Sequence, residues 1–229
     1  MKLVIKIGGS LLFDQNHHLN AARFKQYASE VCHLAKQGHK IALVVGGGSL
    51  ARTLIEQGRL VGAGKDSLDQ LGIAATWVCA QLMIAAVGSL AYPLPMMEED
   101  EFVSHMKDKR ILIVGGLVPG QSTNAVAARI AELTQANVLV NVTDVDGVYD
   151  KDPRKYPDAK LLPVVTVSKL RQIVSSLPND PGTYPLFDKR ALETVERASI
   201  EVWFVNGQQP QSILGAVTEK RIGTRLLPR

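Results

Sequence analysis

The chain has 229 residues, of which 46% are hydrophobic and 21% are charged, and its formal net charge is +4. That length suits one large α/β domain or two fused lobes, and the composition is typical of a globular protein with a sizeable core. The mild positive charge comes without a Lys/Arg block or interleaved aromatic residues, which argues against a nucleic-acid-binding protein. Part of the excess could instead face a small anionic ligand.

Two further features concern the compartment and the membrane. Cys32 and Cys79 lie in apolar helical patterns, which favours reduced buried thiols and a cytoplasmic protein, although a disulfide stays open. The apolar run before Lys6 is too short for a signal peptide. Residues 70–97 carry no charge and are long enough to span a bilayer, but they contain two prolines and several polar residues. We therefore expect a buried helix over residues 71–89 and no membrane span.

Short, continuous apolar runs alternate with longer amphipathic stretches along the chain. In order, the runs predict strands over residues 2–7, 40–45, 91–94, 111–114, 138–142, 201–205 and 224–227, the last at a sheet edge. The stretches predict helices over residues 21–37, 49–57, 71–89, 98–109, 125–134, 169–176, 187–198 and 213–217, with Ser168 as an N-cap. Residues 177–185 hold three prolines and predict a functional or mobile loop. Continuous apolar strands are typical of a mostly parallel sheet that is covered on both faces.

Residues 111–142 form a strand–helix–strand unit with a crossover of the length that a parallel sheet needs. A polar turn, residues 119–124, follows its first strand, and a second polar loop, residues 143–149, follows its second strand. Ligands of open α/β sheets bind beyond the carboxyl ends of the strands. The unit therefore predicts a site with two neighbouring walls.

Three predicted strands end in glycines: Gly8 and Gly9, residues 46–48, and residues 115–116. Glycine after a strand lets backbone N–H groups approach a ligand, and a helix N-terminus just beyond favours an anion. Three such loops at one sheet edge would surround a ligand with several phosphates, whereas each loop by itself could be only a tight turn. Neither a GxxxxGK[ST] loop nor a GxGxxG fingerprint with its acidic partner is present, which argues against P-loop and dinucleotide-binding proteins.

Several charged residues lie close to these loops. Lys6 lies within an apolar strand, where a lysine is costly unless it meets an anion or reaches a sheet edge. Arg52 could bind phosphate or be a solvated helix residue, and Asp188 could be functional or only an N-cap. Asp144 and Asp146 would point the same way by alternation; they suit a metal-bound phosphate or a ribose hydroxyl, or are turn-forming acids.

A pair of histidines, His17 and His18, lies in a polar loop with Asp14 and Asn16. A metal site is a weak possibility there.

The chain contains the motifs KIGGS (residues 6–10), VGGG (45–48), NVTDVDGVY (141–149) and KDP (151–153). Together they resemble the amino acid kinase superfamily. The chain also contains DQLGI (69–73), PGQSTNAVAA (119–128), GTY (182–184) with Asp188, VERASI (195–200) and GT (223–224). These motifs narrow the resemblance to the archaeal-type uridylate kinases. The resemblance covers essentially the whole chain in order.

The resemblance implies a three-layer αβα sandwich around a mostly parallel sheet, formed by one domain over residues 1–229. Its N-terminal part would hold the acceptor and its C-terminal part ATP. The implied activity is transfer of the γ-phosphoryl group of ATP to UMP in pyrimidine nucleotide biosynthesis, with Mg²⁺ bound through the ATP phosphates. It also implies a cytoplasmic homohexamer, a trimer of dimers, and UTP as a possible feedback inhibitor.

Site residues follow from the resemblance, position by position. The implied catalytic residues are Lys6 and Asp188. The implied ATP-binding residues are Gly8, Gly9, Ser10, Gly48, Arg52, Thr143, Tyr149 and Asp152. The implied UMP-binding residues are Gly47, Asp69, Leu117, Val118, Pro119, Gly120, Gln121, Ser122 and Thr123. No side chain is expected to hold the metal firmly.

Three positions depart from the family pattern. Asn124 stands where many relatives have aspartate, Asp144 where lysine or asparagine is more usual, and Glu193 where a lysine often occurs. Two other functions stay open: a kinase of this fold with another acceptor, such as isopentenyl phosphate, carbamate or an amino acid, and a nucleotide-binding storage or regulatory protein without turnover.

Overall fold

The computed structural model describes residues 1–176, 187–218 and 222–228. Over these residues the chain forms one seven-stranded sheet and eight α-helices. The strands are β1 (Lys2–Ile7), β2 (Lys40–Val45), β3 (Leu112–Val114), β4 (Val138–Thr143), β5 (Val164–Thr166), β6 (Glu201–Asn206) and β7 (Thr224–Leu227). The helices are α1 (Ala21–Lys36), α2 (Gly48–Leu60), α3 (Lys65–Val87), α4 (Glu99–His105), α5 (Thr123–Thr134), α6 (Val167–Ser176), α7 (Lys189–Ala198) and α8 (Ser212–Thr218).

The order of the strands in the sheet is β3-β2-β1-β4-β6-β7-β5. All pairs from β3 to β6 are parallel, β7 runs antiparallel to β6, and β5 pairs in parallel with β7. The predicted mostly parallel sheet is therefore confirmed. The predicted edge position of the last strand is wrong, because the short strand β5 covers its outer side.

Alternating side chains of the strands supply two separate cores. On β1, Leu3, Ile5 and Ile7 belong to the core formed with α1, α3 and α8. Val4 of the same strand belongs to the opposite core, which contains residues of α4, α5, α6 and α7. Helices thus cover both faces of the sheet, which confirms the three-layer αβα sandwich. Lys6 shares the face of Val4, so its side chain starts out on the side of α5 and α7.

Helix α3 is longer than predicted and only half-buried. It begins at Lys65, so that Asp69 lies inside the helix, and it packs against α1 and α2. Its inner face is buried, whereas Val78 and Leu82 on the outer face are 48% and 39% exposed. The expectation of a buried helix is therefore wrong for this outer face.

The same helix is long and apolar enough to cross a membrane. It lies within residues 65–90, and 44% of its most apolar stretch is buried inside the protein. Core helices of soluble proteins share these properties, so this feature is weak support for a span.

Some other predicted boundaries are also wrong. Residues 91–94 form no strand, since Ala91 makes only an isolated bridge to Ile111. Helix α4 ends at His105, because Asp108 then accepts bonds from the backbone and side chain of Arg110 in a turn. Ser168 is not an N-cap: α6 already begins at Val167, and Lys169 N–H donates to the Thr166 hydroxyl. The predicted loop over residues 177–185 lies outside the described residues.

Both cysteines are free thiols, as favoured by the sequence. Cys79 is buried in α3, and burial raises the pKa of its thiol to about 11. Cys32 is partly buried in α1, and burial raises the pKa of its thiol as well.

Candidate active site

Lys6 lies at the centre of the carboxyl edge of the sheet. Its neighbours across the strands are Val44 of β2 and Asn141 of β4, and Lys6 itself is only 8% exposed. Burial lowers the pKa of its ammonium group to about 8, while the nearby carboxylates of Asp144 and Asp188 act in the opposite direction. Strand β1 lies in the middle of the sheet, between β2 and β4. The alternative that Lys6 reaches past an outer strand at the side of the sheet is therefore wrong.

The described residues compensate the charge of Lys6 poorly. Within residues 1–176, 187–218 and 222–228, it makes no ion pair, and Asp144 and Asp188 act on it only at longer range. A buried cation without a close partner is expensive for a folded protein. The side chain is therefore suited to receive an anion, and its role in binding one stays a prediction.

The first two glycine loops pack directly against each other. A Cβ atom on Gly46 would lie 2.7 Å from Gly9 N, and a Cβ atom on Gly9 or Gly48 would collide with the backbone of the other loop. Gly48 also has a positive φ of +54°. The N–H of Gly8 donates to Val142 O and that of Gly46 to Ile7 O, so these two groups complete the sheet edge. Close loop packing is thus one physical reason for the glycines, in addition to ligand approach.

Helix α2 starts directly from this loop pair. Since α2 begins at Gly48, the N–H groups of its first turn lie at the same edge of the sheet. Gly47 is enclosed by the helices, because a Cβ atom there would lie 2.8 Å from Ala51 Cβ. The first turn of α2 therefore offers an anion site beside the Gly8–Ser10 turn.

Two more helix N-termini meet on the other face of the sheet. Ser122 caps α5 by accepting from Ala125 N–H at 3.0 Å, and Asp188 caps α7 by accepting from Ala191 N–H at 3.0 Å. The Ser122 hydroxyl also donates to the second carboxylate oxygen of Asp188. Asp188 is therefore an N-cap, one of the two interpretations of the sequence, and it also joins α5 to α7 at a point where its charge acts on Lys6.

The loop between β3 and α5 lies next to α3. Asp69 of α3 has a carboxylate oxygen 4.0 Å from the Cβ position of Gly120, so the structure brings this predicted pair together. Gly120 has a positive φ of +74°. Leu117, Gln121 and Thr123 are half-buried, and Val118, Pro119, Gly120 and Ser122 are exposed. The loop is open to a ligand along most of its length.

Two residues of α3 that the sequence did not single out anchor this loop. Thr76 Oγ1 accepts from Gly116 N–H at 2.5 Å and donates to Ile73 O at 2.6 Å. Trp77 Nε1 donates to Gly116 O at 2.9 Å. The third glycine pair therefore packs against α3, since a Cβ atom on Gly115 would lie 2.6 Å from Thr76 Oγ1. A threonine and a tryptophan in an otherwise apolar helix were the only sequence signal.

The residues on the other side of Lys6 form a polar group around the end of β4. Asp144 pairs with Arg154 at 2.8 Å and accepts from the Thr143 hydroxyl at 3.3 Å. Arg154 was not singled out from the sequence.

A second acid of this loop has different partners. Asp146 accepts from the Tyr149 hydroxyl at 3.0 Å and from Asn206 Nδ2 at 2.7 Å. The two acids therefore do not act together as alternation predicted, because residues after β4 are in bends and not in a strand. Asp152 is buried and accepts from Arg154 N–H at 3.0 Å, so that it shapes the local turn.

The two loops of the strand–helix–strand unit are not adjacent. Strands β2 and β1 separate β3 from β4, which puts about 14 Å between the two strand ends at the usual strand spacing. The predicted neighbouring walls are therefore wrong. The loops flank a cleft instead, with Lys6 between them.

Arg52 and the histidine pair lie beside the first turn of α2. Arg52 is exposed, and its Nη2 donates to the Ser49 hydroxyl at 3.0 Å. His17 Nδ1 lies 3.0 Å from the same hydroxyl, whereas His18 Nδ1 lies 3.8 Å from the Asp14 carboxylate. No group of three His, Cys, Asp or Glu side chains that could hold a metal occurs in the described part of the chain. A metal site at the histidines is thus not supported.

A cavity of about 330 Å³ lies elsewhere, at the amino ends of β1 and β2. Lys2, Lys40, Phe102 and Leu112 are among the residues that line it, and none of the predicted site residues does. The candidate site is therefore recognised by its charges and helix ends and not by enclosure.

The site combines a buried lysine, three helix N-termini and two interlocked glycine loops. This combination is typical of an α/β protein that binds phosphate groups. The profile described as "Amino acid kinase family" matches residues 1–206. A uridylate kinase of Methanobrevibacter smithii is 36% identical over 229 residues, and one of Sulfurisphaera tokodaii is 38% identical over 229 residues; each match covers 100% of both chains. The crystal structure of uridylate kinase from Archaeoglobus fulgidus has a TM-score of 0.88 at 34% identity, over 99% of this chain and 100% of that one.

The chain therefore belongs to the amino acid kinase family, and the two relatives compared above, which match it end to end, are named uridylate kinases. The resemblance stated from the sequence motifs is confirmed.

Proposed function

We propose that this chain is an ATP-dependent UMP kinase, which transfers the γ-phosphoryl group of ATP to UMP and gives UDP and ADP. The observation that carries the proposal is the buried ammonium group of Lys6 at the centre of the carboxyl edge, flanked by two polar loops. The names of the full-length relatives supply the acceptor, UMP.

The chemistry asks for positioning and charge neutralisation. An oxygen of the UMP phosphate attacks the γ-phosphorus, and the bond from this phosphorus to the β–γ bridging oxygen breaks, so that ADP leaves. Little covalent work remains for the protein in such a transfer. Lys6 and the N–H groups at the start of α2 would stabilise the charge on the transferring group, because they are already fixed and desolvated.

The family resemblance assigns one substrate to each side of the cleft. The UMP side would comprise Asp69, Gly47 and residues 117–123, with Asp69 accepting from the ribose. The ATP side would comprise Thr143, Tyr149 and Asp152, with Gly8, Gly9, Ser10, Gly48 and Arg52 at the phosphates. The proposal includes a single domain over residues 1–229, with an N-terminal part that holds the acceptor and a C-terminal part that holds ATP.

Mg²⁺ fits this site as a companion of ATP. It commonly uses one or two carboxylates and completes its shell with phosphates and water. Asp144 and Asp188 both lie close enough to Lys6 to act on its charge, so they are the side chains that would hold the ion. When bound, Mg²⁺ supplies neutralisation of the β- and γ-phosphate charge.

The outer face of α3 supports an oligomer. Val78 and Leu82 lie one turn apart and are exposed, and the helix carries no charge after Asp69. An exposed apolar helix face of this kind is typical of a protein interface. The family resemblance adds a cytoplasmic homohexamer, a trimer of dimers, to the proposal. It also adds a role in pyrimidine nucleotide biosynthesis and UTP, with the uracil and phosphates of the product, as the feedback inhibitor.

A coupled assay of ADP release with ATP, Mg²⁺ and a panel of acceptors tests the proposal. The panel contains UMP, CMP, AMP, GMP, isopentenyl phosphate and carbamate. We expect turnover with UMP to exceed that with every other acceptor, and Asp69→Ala to raise the KM for UMP at least tenfold. Preferred turnover with isopentenyl phosphate or carbamate would overturn the acceptor, and ATP binding without any turnover would overturn the kinase.

A further inference from the structure

The loop before α1 holds His17 in an unusual backbone conformation. Residues 13–20 form a small closed loop, with an isolated antiparallel bridge between Phe13 and Leu19. The Asp14 carboxylate accepts from Asn16 N–H at 2.8 Å and from His18 N–H at 2.9 Å. His17 lies between these two donors with a φ of +64°, in the left-handed region that few non-glycine residues adopt, histidine more often than most. The closed loop thus fixes the backbone from which the His17 side chain leaves.

That side chain reaches the first turn of α2. His17 Nδ1 lies 3.0 Å from the hydroxyl oxygen of Ser49, which is 5% exposed. Arg52 Nη2 donates to the same hydroxyl oxygen at 3.0 Å. Three side chains from two segments of the chain are thus joined at one hydroxyl group.

The Ser49 hydroxyl can bond to both partners at once. A guanidinium group can only donate, so the Ser49 oxygen is the acceptor of the bond from Arg52. A hydroxyl group has one hydrogen and a second lone pair, so Ser49 donates to Nδ1 or accepts from Nδ1–H, according to the His17 tautomer. In both tautomers Ser49 links His17 to Arg52.

We propose that His17 is a positioning residue for substrate phosphate: through Ser49 it fixes the Arg52 guanidinium group beside the N-terminus of α2. The proposal rests on the kinase function above, in which Arg52 binds phosphate. An arginine side chain loses considerable rotamer freedom when it is fixed, so a preorganised guanidinium group binds its anion more tightly. His17 itself need not contact the substrate.

Steady-state kinetics of the full chain with ATP and UMP test this role. Arg52→Ala first identifies which substrate's KM depends on the guanidinium group. His17→Ala and Ser49→Ala should then raise the same KM about three- to tenfold, the size expected for one lost hydrogen bond, with kcat within twofold of the wild type. His18→Ala is the matched control and should change neither constant, because among the described residues that ring pairs with Asp14 and not with Ser49 or Arg52.

A double mutant and two further substitutions separate positioning from damage to the fold. In the Arg52→Ala background, His17→Ala should have no further effect, because the group that it positions is gone. His17→Asn should restore most of the affinity, since asparagine offers an oxygen at the position of Nδ1 and tolerates a positive φ. His17→Gly relieves the backbone conformation and should show the same KM defect as His17→Ala without loss of stability.

The proposal is overturned if His17→Ala behaves like the wild type, changes kcat alone, or adds its full effect to that of Arg52→Ala. A chain that binds ATP or UMP but does not turn over would overturn the proposed function instead. In that case the same variants are compared by calorimetric titration with ATP and UMP, and equal Kd values for His17→Ala and the wild type overturn the positioning role.

Discussion

At the scale of single residues, the buried charge of Lys6 lowers the stability of the free protein but favours the proposed chemistry. Its burial lowers the pKa of the ammonium group to about 8 from an ordinary value of 10.5, which means that the folded protein holds the charged form at a cost. Asp144 and Asp188 reduce this cost only in part. An anionic substrate would remove much of it, so the same charge that weakens the free protein favours the bound state.

Replacing this lysine should therefore separate the two effects. We expect Lys6→Met to lower kcat at least a hundredfold and yet to stabilise the free protein at pH 7, by up to about 3 kcal/mol for a pKa displaced this far. Below pH 8 both the folded and the unfolded chain keep the proton, and the cost of burying the charge is fully present. As the pH rises from about 8 to 10.5, the folded protein loses the proton while the unfolded chain still holds it, so this cost is relieved.

Urea unfolding of both proteins at pH 7 and pH 10 measures this difference, which should shrink at the higher pH. Lys2→Met is the control: Lys2 is exposed on the same strand and the same face, so its replacement should leave stability and kcat nearly unchanged. A Lys6→Met protein that is less stable than the wild type at pH 7 would contradict this view of Lys6.

At the scale of elements, the N-terminal ends of helices supply many of the polar groups of the site. The N-termini of α5 and α7 are tied together by Ser122 and Asp188, so that a cap and a charge are combined in one side chain. The sequence alone left open which of the two roles Asp188 has, because both need only an acid before a helix.

Asp188→Asn distinguishes the cap from the charge. Asparagine caps a helix about as well as aspartate, so we expect the free energy of unfolding to change by no more than about 0.5 kcal/mol. Activity should nevertheless fall at least tenfold, because the carboxylate near Lys6 is lost. Asp188→Ala, which removes the cap as well, should cost about 1 kcal/mol more. Activity of Asp188→Asn within twofold of the wild type would leave Asp188 with the capping role alone.

The link between α3 and the β3–α5 loop gives a second test at this scale. Thr76→Val leaves the N–H of Gly116 without its hydroxyl partner in a buried place, which should destabilise the protein by about 1–3 kcal/mol. Because the displaced loop is the proposed UMP side, the KM for UMP should rise and that for ATP should not. In Thr134→Val, the hydroxyl that is removed bonds only to carbonyls of its own helix, so no KM should change. An equal rise of both KM values in Thr76→Val would argue against the assignment of the loop.

Much of the architecture could be predicted from the sequence, for a physical reason. Strands β1, β2, β4 and β6 are continuous apolar runs, because both of their faces are buried, and such runs are easy to recognise. The short strand β5 was missed, since only one of its three residues is buried. The N-terminal start of α3 was missed because Lys65 and Asp66 are exposed and carry no periodic signal.

The charged centre of the site was also readable from the sequence, but its supports were not. Lys6 stands out as a charge in an apolar strand, and Asp188 as an acid before a helix. Thr76, Trp77 and Arg154 do not stand out, because their roles depend on partners that are distant along the chain or in a separate loop. The strand order could not be predicted for the same reason, because no local pattern in the sequence indicates that β1 and β2 lie between β3 and β4.

At the scale of the whole molecule, the outer face of α3 is an apolar surface that a single chain leaves exposed to water. Val78 and Leu82 are exposed on a helix that is otherwise held by α1 and α2. Burying such a face against a second copy would remove apolar surface from water without desolvating a charge.

A charge on this face should therefore disrupt the proposed homohexamer. We expect Leu82→Glu to shift a hexamer to smaller species in sedimentation velocity, while the far-ultraviolet circular dichroism spectrum stays that of the wild type. Val164→Glu, which places the same charge at an exposed apolar residue of the edge strand β5, is the control and should leave the assembly intact. Unchanged sedimentation of Leu82→Glu would show that this face is not an interface.

Direct detection of UDP tests the central claim, that this chain moves a phosphoryl group from ATP to UMP with Lys6 at the transferring group. ATP labelled in the γ-phosphate is incubated with UMP, Mg²⁺ and either the wild type or Lys6→Met, and the labelled products are separated. We expect the label in UDP with the wild type and at least a hundredfold less with Lys6→Met, although that variant is folded. Label found in inorganic phosphate alone, or equal UDP formation by both proteins, would contradict the account.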